Sequence, residues 1–241
     1  MLILTLESSA KPASVAVYSD GALLGMYFQN SGLTHSRTLL VMAESLLKNL
    51  DLKTGDIGLI AVAYGPGSFT GVRIGVAAAK GLAFGLGIPV CGVSSLEAMA
   101  YQVPEPCALL CPVMDARRNQ VYNALFMWQS GAALQDAAQP CAAQTCSLNR
   151  LCDDRAVSLE ELAVELRSRQ TPVLLTGDGA ELTYDYMTRN GITCSMAPPL
   201  LRLQTAYGVA LAALCGKHTN AEDLEPCYLR PSQAERERGI R

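Results

Sequence analysis

The chain has 241 residues, half of them hydrophobic, and its 19 Lys and Arg against 22 Asp and Glu leave a net charge of −3. That length suffices for one large domain or two small ones with a proper core. The mild acidity excludes a protein that holds nucleic acid through its average surface, so an RNA contact is expected to need a partner.

The nine cysteines are scattered rather than paired in C-x-x-C units, which predicts reduced thiols and a cytoplasmic location. Cys141, Cys146 and Cys152 lack zinc-unit spacing and are read as small hydrophobes. The apolar start, Leu2 to Leu6, meets Glu7 without a preceding basic segment, unlike a secretory signal. The longest charge-free apolar run, Gly81 to Leu96, is broken by Pro89 and several glycines, and no membrane-spanning segment is expected.

In chain order, Leu2 to Leu6 reads as a strand buried on both faces, followed by the polar turn Glu7 to Ser14 and a strand from Val15 to Tyr18. Ser19-Asp20-Gly21 turns the chain into a third strand, Leu23 to Gln29, completing an antiparallel meander. Thr34 or Ser36 caps a helix whose inward stripe is Leu39, Met42, Ala43, Leu46, Leu47 and Leu50. The apolar run Ile57 to Tyr64 then enters the stretch around which the chain is organised, Gly65 to Gly75, G-P-G-S-F-T-G-V-R-I-G.

This stretch joins a strand to a small-residue helix, Val72 to Leu86. Pro66 fixes its own φ, Gly65 and Gly67 permit angles closed to other residues, and the helix start presents N–H groups to an anion or to a partner's acceptors. It is not a P-loop, because Val72 and Arg73 follow Gly71 where Lys is required; it is not a dinucleotide fingerprint, because Thr70 replaces the third glycine. Gly71, Gly75, Ala79, Ala83 and Gly87 line one helix face, which must receive the backbone of a neighbouring element or a partner subunit.

Beyond it lie a strand from Ile88 to Val93 and a helix capped by Ser94 or Ser95, with Glu97 placed for a capping box. Pro104 and Pro106 mark the expected domain boundary. Asp115-Ala116-Arg117-Arg118 joins strands Ala108 to Met114 and Gln120 to Phe126, as a solvated turn or a surface read by a partner. Gln129 to Arg155 shows weak periodicity and is read as a variable edge. Ser158 with Glu161 opens a helix, Pro172 to Thr176 is a buried strand, and Gly177-Asp178-Gly179-Ala180 is a strand-to-helix turn. Tyr207 to Leu214 is the last apolar helix, and the tail from Arg230 mixes charges of both signs.

The run GPGSFTGVRIG, continuing through AAAKGLAFGLGIPVCGVSSLEAMA, resembles the signature of the TsaB (YeaZ) family, the smaller actin-like subunit of bacterial threonylcarbamoyladenosine synthesis. Similarity extends to Thr34-His35-Ser36, Met114-Asp115-Ala116-Arg117 with Val121-Tyr122, Thr176-Gly177-Asp178-Gly179 and Pro226-Cys227-Tyr228-Leu229-Arg230. The resemblance implies an α/β fold of two similar actin-like (ASKHA, ribonuclease H-like) subdomains, each a mixed sheet with helices. They would span residues 1–104 and 105–241, with a helix at about 205–217 crossing back to the first.

It further implies a non-catalytic subunit that pairs with and activates the catalytic subunit TsaD, alongside the ATPase TsaE, and meets tRNA through that complex. The product would be the threonylcarbamoyl group on N6 of the adenosine beside the anticodon of tRNAs reading ANN codons; whether the isolated chain forms a homodimer through the same surface stays open. The implied partner contact comprises His35, Leu39, Ser68, Phe69, Thr70, Gly71, Arg73 and Gly75, with no catalytic residue and no metal.

The chain departs from active actin-like enzymes at Glu7-Ser8-Ser9-Ala10-Lys11-Pro12, which has no glycine, carries Glu7 in place of aspartate and loses an N–H at Pro12. Leu39 also stands one turn after His35, where the catalytic paralogue has its second metal-binding histidine. No cofactor is therefore expected in the isolated chain, and ATP is placed at or near the partner interface. The competing readings are a stand-alone actin-like ATPase and a metallopeptidase. The histidine count of two, His35 and His218, with no H-E-x-x-H unit, opposes the latter.

Overall fold

β1 (Leu2–Glu7), β2 (Ala13–Ser19) and β3 (Ala22–Gln29) form the antiparallel meander that opens the chain. The structure, a computed structural model, describes residues 1–104, 108–130 and 146–230. After α1 (His35–Asn49) come β4 (Ile57–Gly65), α2 (Phe69–Leu86) and β5 (Val90–Ser94); β4 lies parallel to β1 and β5 parallel to β4. Helix α3 (Ser95–Tyr101) follows directly, capped by the Ser94 hydroxyl, which accepts from Glu97 N–H.

The second sheet repeats this plan. It contains β6 (Leu109–Asp115), β7 (Gln120–Asn123), β8 (Phe126–Ser130), β9 (Cys146–Arg150), β10 (Arg155–Ser158), β11 (Val173–Thr176) and β12 (Cys194–Met196). Helix α4 (Leu159–Arg169) lies between β10 and β11, and α5 (Ala180–Arg189) between β11 and β12. The first sheet has the order β3-β2-β1-β4-β5, with β13 (His218–Thr219) antiparallel on the far side of β5, and the second has the path β10-β7-β6-β11-β12, with β8 on β6 and β9 on β8. Along β3-β2-β1-β4-β5 and β10-β7-β6-β11-β12 alike, the first three strands are antiparallel and the last two join in parallel. Equal order, equal sense and equally placed crossover helices make these two similar actin-like subdomains.

Within the stretch read as a variable edge, the described residues contain β9, which among them pairs only with β8 and so lies at a sheet edge; β10 begins at its last residue, Arg155, and pairs with β7. The strand expected from Gln120 to Phe126 is broken at Ala124–Leu125, yet β8 continues the register of β7 along β6, with Leu110 opposite Phe126 and Val113 opposite Asn123.

Alternation along β1 divides the first core. Leu4 and Leu6 face α1 and α2, joining Leu39, Met42, Leu46, Val72 and Val76. Ile3 faces the other side with Ala98 of α3 and Val209, Ala210 and Ala213 of α6 (Ala206–Ala213), so α6 packs on the first sheet. The Thr5 hydroxyl donates to Ala206 O at 2.8 Å. Between the halves, Ala10, Leu96 and Met99 meet Leu110, Met114 and Phe126. The proposed 104/105 boundary abuts residues 105–107, which lie outside the described residues, as do Cys141 and the tail beyond Arg230.

Helix α2 is 18 residues long with a mean hydropathy of 1.3, enough by length and composition to cross a membrane. Here Gly71, Val72, Gly75, Val76, Ala79 and Ala83 are buried, with Val72, Val76, Ala79 and Ala83 in the core beneath the first sheet. Arg73 and Lys80 interrupt its apolar surface.

Candidate docking face and interlobe cleft

Helix α2 begins where the backbone crowds. The Ser68 hydroxyl accepts from Gly71 N–H, and Ser68 N–H donates to Ser9 O at 2.6 Å, tying the helix start to the β1–β2 turn. A Cβ on Gly71 would lie 2.1 Å from Ser8 O, and one on Gly75 would lie 2.5 Å from Ser8 Oγ. The neighbour required by the bare helix face is thus this chain's own β1–β2 turn.

That packing separates the eight residues expected to meet a partner. Leu39 is 1% exposed in the first core, while Gly71 and Gly75 are buried against Ser8 and β4; direct contact through these three is corrected by the fold. Ser68, Thr70 and Arg73 are exposed, whereas His35 and Phe69 are half-buried. On α1 the exposed apolar residues are Leu40 and Val41, beside Arg37 and Glu44. The sequence signal was present: Leu40 and Val41 fall outside the inward stripe of an amphipathic helix. An apolar groove of about 460 Å³ runs between α1 and α2, lined by Leu40, Ala43, Leu47, Leu52, Ile57 and Leu82.

Between the halves lies a second cavity, about 650 Å³, bordered by the β1–β2 turn, the starts of α1 and α2, the β6–β7 turn and residues Cys227 to Arg230. Glu7 is fully buried behind it; Oε1 accepts from Ser9 N–H at 2.6 Å and Oε2 has no partner. Burial, reinforced by the nearby Asp178 charge, pushes the Glu7 carboxyl up to about 7. Burial also raises the Asp178 carboxyl, opposed by the hydrogen bond it accepts from Gln204 Nε2 at 3.1 Å. His35 Nε2 donates to Ala10 O at 2.8 Å, which leaves Nδ1 buried and unpartnered.

An actin-like fold implies a nucleotide in this cleft, but the residues present do not fit its phosphates. Ser9 N–H is bonded to Glu7, Ser68 N–H to Ser9 O, Gly177 N–H to Arg202 O and Gly179 N–H to Val113 O. With Pro12 lacking a donor, these turns retain few free amides for an anion. Among the described residues, no three His, Cys, Asp or Glu side chains converge to hold a metal.

Residues Leu224 to Arg230 form a strap across the cleft rim. Cys227 N–H donates to Tyr64 O at 2.7 Å, Arg73 Nε donates to the Tyr228 hydroxyl at 2.7 Å, and Arg230 Nη1 donates to Ala116 O at 2.9 Å. A Cβ on Gly65, where φ is +119°, would lie 2.5 Å from Cys227 O. The contact roles of Tyr228 and Arg230 could not be read from local sequence, because Tyr228 lies 155 residues from Arg73.

The family model for TsaD, tRNA N6-adenosine threonylcarbamoyltransferase, matches residues 27–225. A relative from Bacillus subtilis, tRNA threonylcarbamoyladenosine biosynthesis protein TsaB, is 32% identical over 98% of this chain and 96% of its own length. The Haemophilus influenzae protein of the same name is 28% identical over 95% of this chain and 94% of its own. Among solved structures, YeaZ from Pseudomonas aeruginosa aligns with a TM-score of 0.76 and 25% identity, covering 95% of this chain and 99% of that one.

Proposed function

The chain belongs to the TsaB (YeaZ) family, and from that premise we propose that it serves tRNA threonylcarbamoyladenosine biosynthesis as a non-catalytic partner of a TsaD-type subunit. The observation that carries the pairing is the α1–α2 face, where Leu40 and Val41 stand exposed beside an apolar groove. A homologous subunit offering two comparable helices would bury that surface. Ser68, Thr70 and Arg73 lie at the start of α2, at the edge of the proposed contact. Uncovered, the same face would pair two copies of this chain.

The cleft supports a non-catalytic role, because the backbone donors of Ser9, Ser68, Gly177 and Gly179 are engaged internally and burial raises the Glu7 and Asp178 carboxyls. We place ATP at or near the partner interface rather than in these turns, with a TsaE-type ATPase joining the assembly. On this reading the partner performs the transfer to the adenosine beside the anticodon of tRNAs reading ANN codons, and this chain activates it.

Co-purification tests the pairing. Leu40→Glu and Val41→Glu replace exposed side chains, so each variant should keep the wild-type circular dichroism and melting transition while losing the TsaD-type subunit from the complex. Folded variants that retain the partner at wild-type stoichiometry would place the interface elsewhere.

A further inference from the structure

Three separate parts of the chain deliver cations to the mouth of the interlobe cleft: Lys11 from the β1–β2 turn, Arg117 from the β6–β7 turn and Arg230 from the strap. Arg118 stands exposed beside Arg117. The ion pairs among the described residues include neither Lys11, Arg118 nor Arg230. The cleft's carboxylates are Asp115, paired with Arg117 at 3.4 Å, and Asp178, buried in its wall beside Gln204. In a chain of net charge −3, this concentration of unpaired cations is local.

Aromatic faces lie between the cations. Phe69 and Tyr228 have ring centroids 4.9 Å apart, and the Arg73 guanidinium lies 3.8 Å from the Phe69 centroid. Tyr228 is 42% exposed, and Tyr122 is half-buried in the cleft lining. Ser9 Oγ and His35 Nδ1, from two lining residues, are buried without a hydrogen-bond partner. Cations at a groove mouth, stackable rings beside them and unsatisfied polar atoms within suit phosphates, base faces and base edges respectively. A continuous duplex would bring phosphates but keep its bases stacked away from the rings.

We infer that the mouth of the interlobe cleft receives a looped, single-stranded segment of RNA. Lys11, Arg117, Arg118 and Arg230 meet its phosphates, while Tyr228, backed by Phe69, offers its ring to an unstacked base. This rests on the tRNA-modification reading and assigns this chain a share of the RNA contact distinct from the α1–α2 docking face.

The test titrates a fluorescently labelled anticodon stem-loop against the assembled pair of this chain and its TsaD-type subunit, over a range of salt concentrations. The double variant Lys11→Glu/Arg118→Glu should weaken binding roughly tenfold or more and reduce the slope of log affinity against log salt by about two. Tyr228→Ala should weaken binding to the loop without changing binding to a duplex of equal length. Arg189→Glu, at the end of α5, should leave affinity unchanged.

Intact pairing with RNA affinity unmoved by the double variant would overturn the inference, as would stoichiometric displacement of the RNA by ATP. The same titration on the chain alone separates the two ideas. Charge-dependent loop binding by a chain that ignores its TsaD-type partner would sustain the cleft and refute the pairing.

Discussion

Glu7 shows how one residue type changes meaning with its surroundings. Its position after a short strand suggests a phosphate-turn acid, yet complete burial beside Ser8, Ser9 and Asp178 holds the carboxyl near 7, above the usual carboxylate range. The folded chain therefore retains a proton that the unfolded chain releases near pH 4.5. This group's contribution to stability is fully present below that pH and is lost as pH rises through about 7, a fall on the order of 3 kcal/mol. Glu7→Gln should flatten that part of the stability–pH profile and make the variant more stable than wild type above pH 7, measured by urea denaturation between pH 4 and 8. A variant with the wild-type slope would place the titration elsewhere.

At the scale of elements, helix starts were the most legible features, because a cap and its donor lie within three residues. Ser158 accepts from Glu161 N–H while the Glu161 carboxylate accepts from Ser158 N–H, a reciprocal capping box opening α4. Ser158→Ala should cost about 1 kcal/mol and lower the melting temperature by about 2–4 °C, read by differential scanning calorimetry; an unchanged transition would show that solvent replaces the cap. The sequence also showed that the small-residue face of α2 needs a close neighbour. It left open whether that neighbour was internal, and the approach of Ser8 to Gly71 decides the matter. Strands β9 and β10 were not legible, since each is defined by pairing with β8 or β7 rather than by a strong apolar alternation of its own.

At the scale of the whole molecule, long-range contacts hold the halves together. Arg150 of β9 pairs with Glu97 of α3 at 2.9 Å and with Asp154 at 2.5 Å, while its guanidinium lies 4.7 Å from the Phe126 ring centroid. The Asp154 carboxylate also accepts from the Ser94 hydroxyl. All three charged side chains are partly buried, so removing the arginine leaves two poorly hydrated carboxylates near one another. Arg150→Ala should destabilise the protein by about 1–3 kcal/mol, seen as a lower urea midpoint. Recovery by Arg150→Lys of full wild-type stability would show that charge alone, without the forked geometry, suffices.

The sequence by itself determined β1 to β5, the Ser94 and Ser158 caps of α3 and α4, the central strand–loop–helix and, through ordered motifs, the family resemblance, whereas Thr34, expected to cap α1, makes no side-chain cap hydrogen bond. The features so determined depend on residues close together in the chain: apolar alternation, capping spacing and glycines at tight turns. The amphipathic stripe of α1 already turned Leu39 inward and left Leu40 and Val41 outside it, whereas tertiary structure alone decided that Gly71 and Gly75 pack on this chain's own β1–β2 turn. It also brought Lys11, Arg117 and Arg230 to one cleft and closed the strap over Gly65. The physical reason is that local spacing specifies an element and its amphipathic stripe, whereas access to solvent depends on everything packed around it.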